Sequence, residues 1–492
     1  MLDIVSTING YVWSWVLVGL CLGAGLFYSI MTRFAQARHF REMLRLLFSS
    51  RESDAGISSF QALAVSLSGR VGTGNIAGVA AAIGFGGPGA VFWMWVVAFL
   101  GASTAYVEST LGQIYKEVDD GQYRGGPAYY IEKGMGQKWY AWAFAISAII
   151  ATAVLLPSVQ SNAIGNAAEL AFGGGTTFET PLGTVSQAKL IAGSLVVVVL
   201  GLIIFGGVKR IAHFTQVVVP MMALTYIVLA LIVITLNIAE LPRVIGLIVS
   251  DAFTPMAGLG AAIGWGVKRG VYSNEAGQGT GPHAAAASEV QHPAQQGLVQ
   301  AFSVYVDTLL VCSATAFMIL ITGMYNVLPE NGDVLVANLP LDTQINAPAF
   351  TQLALQSVVG DVGKVFVAIA LFFFAFTTLL AYYYIAETNV AYVRRTIRIP
   401  GELTALKFVL LGAVFYGAVR EANLAWALGD LGVGILAWLN IVGILILFAM
   451  SCPAIKALRD YEAQKKAGVT RYTFDPEKLG IRNADFWSSK SD

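Results

Sequence analysis

Between Gln61 and Gly89 an apolar run long enough to cross a bilayer is broken at its centre by Ser68-Gly69-Arg70-Val71-Gly72-Thr73-Gly74-Asn75. Hydrocarbon offers no water to backbone N–H and C=O groups, so a spanning segment normally satisfies them within its own helix. Three glycines, an arginine and the polar side chains of Ser68, Thr73 and Asn75 work against a continuous helix. Such a break survives where it is buried in protein or lines a wet cavity, and there the freed backbone can bind a solute or an ion. A glycine-rich packing face is the plainer alternative. It accounts for the glycines but not for Arg70 and Asn75.

The rest of the chain fits a membrane setting. It is 56% hydrophobic and 12% charged, with a mean hydropathy of +0.66, against about 25% charged in soluble proteins. A net charge of zero gives no support for nucleic-acid binding. Cys21, Cys312 and Cys452 lie singly in separate segments, without the paired spacing of a metal or redox site. The N-terminus lacks the basic start of a signal peptide.

Apolar runs of about 17–25 residues are spanning candidates, and about eleven meet that criterion. They cover 11–32, 60–84, 90–115, 139–160, 187–206, 212–236, 253–272, 298–323, 363–388, 404–419 and 431–451. Arg33, Arg38, Arg41, Arg45 and Arg51 follow the first span, which predicts a cytoplasmic loop there and an N-terminus outside. Alternation then gives the inside Lys116, Arg124, Lys133, Lys138, Lys209, Arg210, Arg394, Arg395 and Arg398. The outside receives Lys189, Arg243, Lys364 and Arg420, and the basic tail ends in the cytoplasm. Charge asymmetry and span count agree. The segments 161–186 and 326–361 read as outside loops, and the tail beyond Pro453 as a partly helical, solvated terminus.

Setting the first span aside leaves two units of five helices with opposite topology, which is the pattern of an inverted-repeat transporter. The expected fold class is therefore an all-α integral membrane protein of about eleven helices with two discontinuous ones. The expected layout is an extra helix and basic loop (1–55), a transporter core (56–452, its repeats near 60–240 and 253–451), and a cytoplasmic tail (453–492). The second unit should open with its own break, in the glycine-punctuated stretch from Gly258 to Gly270.

Gly72-Thr73-Gly74-Asn75-Ile76-Ala77-Gly78-Val79 resembles the signature of the alanine or glycine:cation symporters. So do Gly86-Gly87-Pro88-Gly89, Gly125-Gly126-Pro127, Gly206-Gly207-Val208-Lys209-Arg210-Ile211, Ser273-Asn274-Glu275-Ala276-Gly277, Gly297-Leu298-Val299-Gln300 and Asp307-Thr308. The matches cover most of 60–400. The resemblance implies a secondary transporter of the leucine-transporter fold, carrying a small neutral amino acid with sodium, in the plasma (inner) membrane and without a cofactor. A proton in place of sodium, or a larger substrate such as glutamine, is the alternative.

A zwitterion held at mid-membrane needs partners for both charges, because burying an unpaired charge costs several kcal/mol. Backbone N–H groups from Val71 to Asn75, among them Gly72 and Gly74, the Thr73 hydroxyl and the positive end of the following half-helix suit a carboxylate. Asn75 can donate or accept. Thr73 and Asn75 would equally serve as caps, and the two roles are compatible. Freed carbonyls near Leu67 and Ser68 suit sodium or the ammonium. The resemblance adds Thr377 and Thr378, whose hydroxyls match a pair that completes a sodium site in this fold; each could instead bond its own helix. It also marks Gln160 and Asn162 as substrate contacts or vestibule residues. Tyr382 stands where relatives commonly carry tryptophan, which bears on pocket size. Trp265 would either cap the pocket or pack.

Ionisable residues inside the membrane are costly and point to function. Glu108 and Asp307, with Arg70, Arg269 and Lys268 as counter-charges, are expected to form an inner gate. The competing role is a protonation site. An intramembrane enzyme is disfavoured: there is no Gly-x-Ser-x-Gly or His-Glu-x-x-His, and His39, His213, His283 and His292 all fall toward helix ends or loops.

Overall fold

The computed structural model describes residues 2–47, 56–180, 183–254, 256–329, 333–345 and 347–491, so Arg51 and the end of the basic loop lie outside the description. Among the described residues the secondary structure is mainly helical, with three short antiparallel ribbons. In order the helices are α1 Leu2–Val12, α2 Trp15–Met31, α3 Ala35–Arg38, α4 Phe40–Leu47, α5 Ser59–Arg70, α6 Val79–Gly86, α7 Gly89–Ile114, α8 Pro127–Met135, α9 Lys138–Ile150, α10 Leu156–Phe172, α11 Gln187–Ile204 and α12 Gly207–Leu236. Then come α13 Leu241–Phe253, α14 Leu259–Asn274, α15 Gly281–Ala286, α16 Pro293–Val304, α17 Ser313–Thr322, α18 Ala349–Val359, α19 Asp361–Arg394, α20 Glu402–Val419, α21 Ala422–Ser451, α22 Pro453–Lys466 and α23 Asp485–Ser491.

Among the described residues eight helical stretches are long and apolar enough to span a membrane, and α1–α2, bent by 45°, makes a ninth. The two remaining predicted spans, at α5–α6 and α14, do not pass that test. The first is interrupted, and the second is short and ends in Lys268 and Arg269. α9 and α10 run on through a π-helical turn, Ala151–Leu155, and α16 and α17 through another, Tyr305–Cys312. α11 and α12 leave large apolar side chains uncovered, such as Leu195, Leu202, Leu224 and Leu231, as a lipid-facing surface requires.

The first break is where the sequence puts it. α5 begins with a Ser58–Gln61 capping box and ends at Arg70; Val71 leaves the helical region (φ −77°, ψ 87°), and a π-helical turn, Gly74–Gly78, leads into α6. The second is displaced. After Gly258, a positive-φ N-cap, Leu259 to Gly270 is continuous helix, and two of its glycines serve close packing: a Cβ on Gly266 would lie 2.6 Å from the Ala90 carbonyl on α7, and one on Gly270 would overlap Val97. The chain opens instead after α14, where Glu275, Gly277 and Gly279 all take positive φ before α15.

The tail is not a solvated terminus. α22 and α23 lie on the face that carries α3, α4, the end of α7 and the start of α16. Asp460 meets His292 at 3.1 Å, Glu462 meets Arg38 and His39, and Lys465 and Tyr461 meet Glu42. Trp487 is buried and donates to the Gln113 carbonyl, with the Lys116 ammonium 5.6 Å from its ring. Aromatic burial of this kind holds a polar segment down more firmly than its surface charges would.

Candidate functional site

Around the break, main-chain N–H groups at Gly72 and Thr73 are met by the side chains of Asn75 and Gln160. Gly72 N–H donates to Asn75 Oδ1 at 2.8 Å, and Thr73 N–H donates to Gln160 Oε1 on α10 at 3.0 Å. The Thr73 hydroxyl is fully buried without a partner. A buried hydroxyl left unpaired costs about 1–3 kcal/mol, so at the break this is an atom that a ligand would satisfy. A Cβ on Gly72 would overlap Thr378 Oγ1 of α19 and stand 3.0 Å from Gln160 Oε1, so only glycine lets these groups converge. The Gln160 carboxamide also lies beside the Tyr382 and Tyr272 hydroxyls.

Behind the break, Asn75 Nδ2 donates to Asp307 Oδ1 at 2.6 Å, Ser273 Oγ donates to both Asp307 oxygens, and Thr308 Oγ1 donates at 2.7 Å. One carboxylate thus ties the first broken helix to α14. Gly74 packs on Tyr272 and Ser273 so closely that an added Cβ would sit 3.1 Å from the Ser273 backbone.

Toward the face that carries the N-terminus lies a cavity of about 1120 Å³, lined by Trp13, Trp15, Phe85, Trp265, Asn423 and Asp430 among others. Its floor is an ion-pair cluster: Asp430 Oδ1 accepts from Arg269 at 2.7 Å, and Asp430 Oδ2 from Lys268 at 2.8 Å. The Arg269 guanidinium lies 4.2 Å from the Trp426 ring centroid, and Trp426 in turn packs at 5.0 Å on Tyr272. That series of contacts separates the cavity from Gly74 and Gln160.

On the opposite side Arg70 is buried. Its Nε donates to the Asn274 carbonyl at 2.7 Å, and Nη1 reaches Gln300 Oε1 and Ser303 Oγ. Glu108 accepts from Gly277 N, Gly279 N and Asn440 Nδ2.

Gly72, Thr73, Gly74, Asn75, Gln160, Tyr382 and Thr378 therefore meet at the break, and Asp307 adjoins them. Others are placed elsewhere. Asn162 turns to α20 and donates to the carbonyls of Gly417 and Arg420. Trp265 stacks on Phe85 at 4.6 Å in the cavity on the N-terminal face. Thr377 bonds its own helix and points to Met222 on α12, while Thr378 bonds Phe374 O. Ser68 Oγ returns to Val65 O, and Leu67 O accepts from Val71 N. The expected pairing of Arg269 and Lys268 with Glu108 and Asp307 is corrected: both cations face α21 and take Asp430, and neither expected carboxylate holds a direct ion pair with Arg70. The reading of the sequence missed Asp430, which falls one residue before the predicted last span (431–451) but inside α21, and assigned no role to Ser273, Glu275 or Asn440.

A family model described as the Sodium:alanine symporter family matches residues 1–475. The "Putative sodium/proton-dependent alanine carrier protein YrbD" of Bacillus subtilis (strain 168) is 57% identical over 495 residues, covering 100% of this chain and 98% of its own length. The "Sodium/proton-dependent alanine carrier protein" of Bacillus sp. (strain PS3) is 49% identical over 91% of this chain and 97% of its own. The "Probable sodium/glutamine symporter GlnT" of Bacillus subtilis (strain 168) is 40% identical over 94% and 91%.

Proposed function

Because the chain belongs to the sodium:alanine symporter family, we propose that it imports a small neutral amino acid, alanine or glycine, together with sodium by alternating access. The observation that carries this reading is the opened backbone at Val71–Gly72, with the unpartnered Thr73 hydroxyl facing it. The substrate carboxylate takes the Thr73 N–H that Gln160 Oε1 otherwise accepts, and the displaced carboxamide turns to the ammonium. Gly72, Gly74, Asn75 and Tyr382 complete the wall. The tight approach of Thr378 and Gln160 to Gly72 favours a substrate with little or no side chain.

Sodium sits between the end of α5 and α19. Carbonyls near Leu67 and Ser68 and the Thr378 hydroxyl serve as oxygen ligands, the kind a hard cation prefers; Thr377 joins only after a turn of its side chain. Bound sodium orders the break and so prepares the amino-acid site, and by linkage each ligand tightens the other. Arg269, Lys268 and Asp430 with Trp426 close the outer side. Arg70, Glu108 and the 275–280 turn close the inner side. Within two five-helix repeats, about 60–240 and 253–451, one helix bundle rocks against the rest in the inner membrane, with the N-terminus outside and the tail in the cytoplasm. The membrane potential contributes about 2.3 kcal/mol per charge per 100 mV.

Proteoliposome uptake of labelled alanine, glycine and glutamine under an imposed sodium gradient tests this. Alanine and glycine should accumulate and glutamine should not; accumulation indifferent to sodium would refute it.

A further inference from the structure

Three buried carboxylates lie within electrostatic reach of Arg70, namely Glu108, Asp307 and Glu275, and one guanidinium does not neutralise three. Two of them are met by several donors each. Glu108 accepts from two backbone N–H groups and an amide, and Asp307 from an amide and two hydroxyls. Hydrogen bonds of that kind favour the charged form.

Glu275 is different. It is 2% exposed, and its Oε1 has no hydrogen-bond partner. It sits at positive φ at the turn that ends α14, with its carboxylate against Gly69 of α5. It lines a small cavity of about 10 Å³ together with Ser66, Thr280, Gly281, Ala381 and Tyr384. The Ser66 and Thr280 hydroxyls are likewise buried and unpartnered. Three orphaned oxygens around one void, next to a guanidinium whose own Nη2 is unpaired, form a cradle at the small end of what a single water molecule occupies. An ionised carboxylate there has the Thr280 hydroxyl as a donor but no direct counter-ion, and burying it costs several kcal/mol. A protonated one donates its O–H to the Ser66 hydroxyl or to a bridging water.

We propose that Glu275 is the proton-binding carboxylate of this carrier, loaded through the Ser66–Thr280 cavity and separate from the sodium position at Thr378. The proposal rests on the symport reading and deepens it by naming a second coupled ion. On loading, Glu275 gains one proton from hydronium, leaving water; on release it returns the proton to water on the other side of the membrane. The charged and titratable groups facing it are Arg70 on α5, Glu108 on α7, Tyr272 on α14, His283 on α15, Asp307 between α16 and α17, and Tyr382 and Tyr384 on α19. Because Glu275 bridges α5 and the turn after α14, its charge state bears on whether the inner side can open.

The test uses the full-length carrier in proteoliposomes with a trapped pH-sensitive dye and sodium equal on both sides. Added alanine should acidify the interior for the native protein, and Glu275→Gln should abolish that acidification. Persistence of alanine-coupled acidification in Glu275→Gln overturns the proposal. So does a native protein that accumulates alanine on a sodium gradient with no proton movement; absence of sodium-driven uptake altogether would instead strike the symport reading. Should Glu275→Gln fail to yield a monodisperse protein, Thr280→Val carries the test. It leaves the carboxylate in place and removes a hydroxyl able to donate to the ionised form, so the pH of half-maximal proton activation should rise. An unmoved or lowered midpoint overturns the proposal.

Discussion

Replacing Gly72 with alanine tests the geometry of the break most sharply. Gly72 is not among the glycines with positive φ, so alanine is compatible with the backbone and the cost is one of space. The added methyl would overlap Thr378 Oγ1 and approach Gln160 Oε1 to 3.0 Å. Inserting a methyl into a filled interior costs about 1–3 kcal/mol. If that strain falls on the bound state, kcat/KM for sodium-driven alanine uptake drops by about 5- to 150-fold, since 1.4 kcal/mol is tenfold. Gly412→Ala is the matched control: it lies inside α20 with no heavy atom near its would-be Cβ. It should leave uptake intact and stabilise the helix by about 0.5–1 kcal/mol. Adding Thr378→Ala to Gly72→Ala should recover the melting temperature but not sodium activation, a non-additivity expected of touching residues. Native kinetics and native sodium activation in Gly72→Ala would refute the convergence of α5, α10 and α19 at this point.

Thr378→Ala should raise the sodium concentration for half-maximal uptake more than Thr377→Ala does, because Thr377 faces Met222; equal effects would contradict the assignment. Asp430→Asn strands Arg269 and Lys268 beneath the cavity lined by Trp13 and Trp265, and breaking a buried pair costs about 3–5 kcal/mol; the melting temperature in detergent should fall, and a second change, Arg269→Gln, should restore part of it. Trp487→Ala removes a buried ring from the tail, and such truncations cost about 3–5 kcal/mol, so limited proteolysis should then cut beyond Pro453 faster. Acid should loosen the same contact. Burial holds His292 below its usual value despite Asp460, and its Nδ1 accepts from Ala294 N, which requires the neutral ring. Burial pushes Asp460 up, but the His292 hydrogen bond and charge bring it below the carboxylate range. Both groups bind fewer protons when folded, so tail docking is full above about pH 6.5 and weakens as pH falls; hydrogen exchange of 453–491 against pH reads this directly.

The break between Val71 and Gly72 was legible because three glycines and an arginine inside an apolar run do not fit a continuous, lipid-buried helix. The spans followed from hydropathy in the same way. The second opening was misplaced because glycine carries two meanings: in α14 it lets α7 approach, whereas after Asn274 it permits positive φ, and spacing alone does not separate these. Gln160 was reachable through the resemblance. Its hydrogen bond to Thr73 was not, since α10 meets α5 only in three dimensions. The partners of Arg269 were misassigned because a helix face cannot be read from a short glycine-rich segment, and Asp430 lies some 160 residues away. The tail looked solvated by charge, yet its aromatic side chains, Tyr461, Phe474 and Trp487, carry the docking.

A structure solved with alanine and sodium bound would test the central claim most directly. The amino-acid carboxylate should lie against the main chain of Gly72 to Asn75, within hydrogen-bond distance of the Thr73 hydroxyl, with Gln160 released from Thr73 N–H. Alanine bound at another depth, with Gln160 still accepting from Thr73 and the 71–75 backbone untouched, would contradict it.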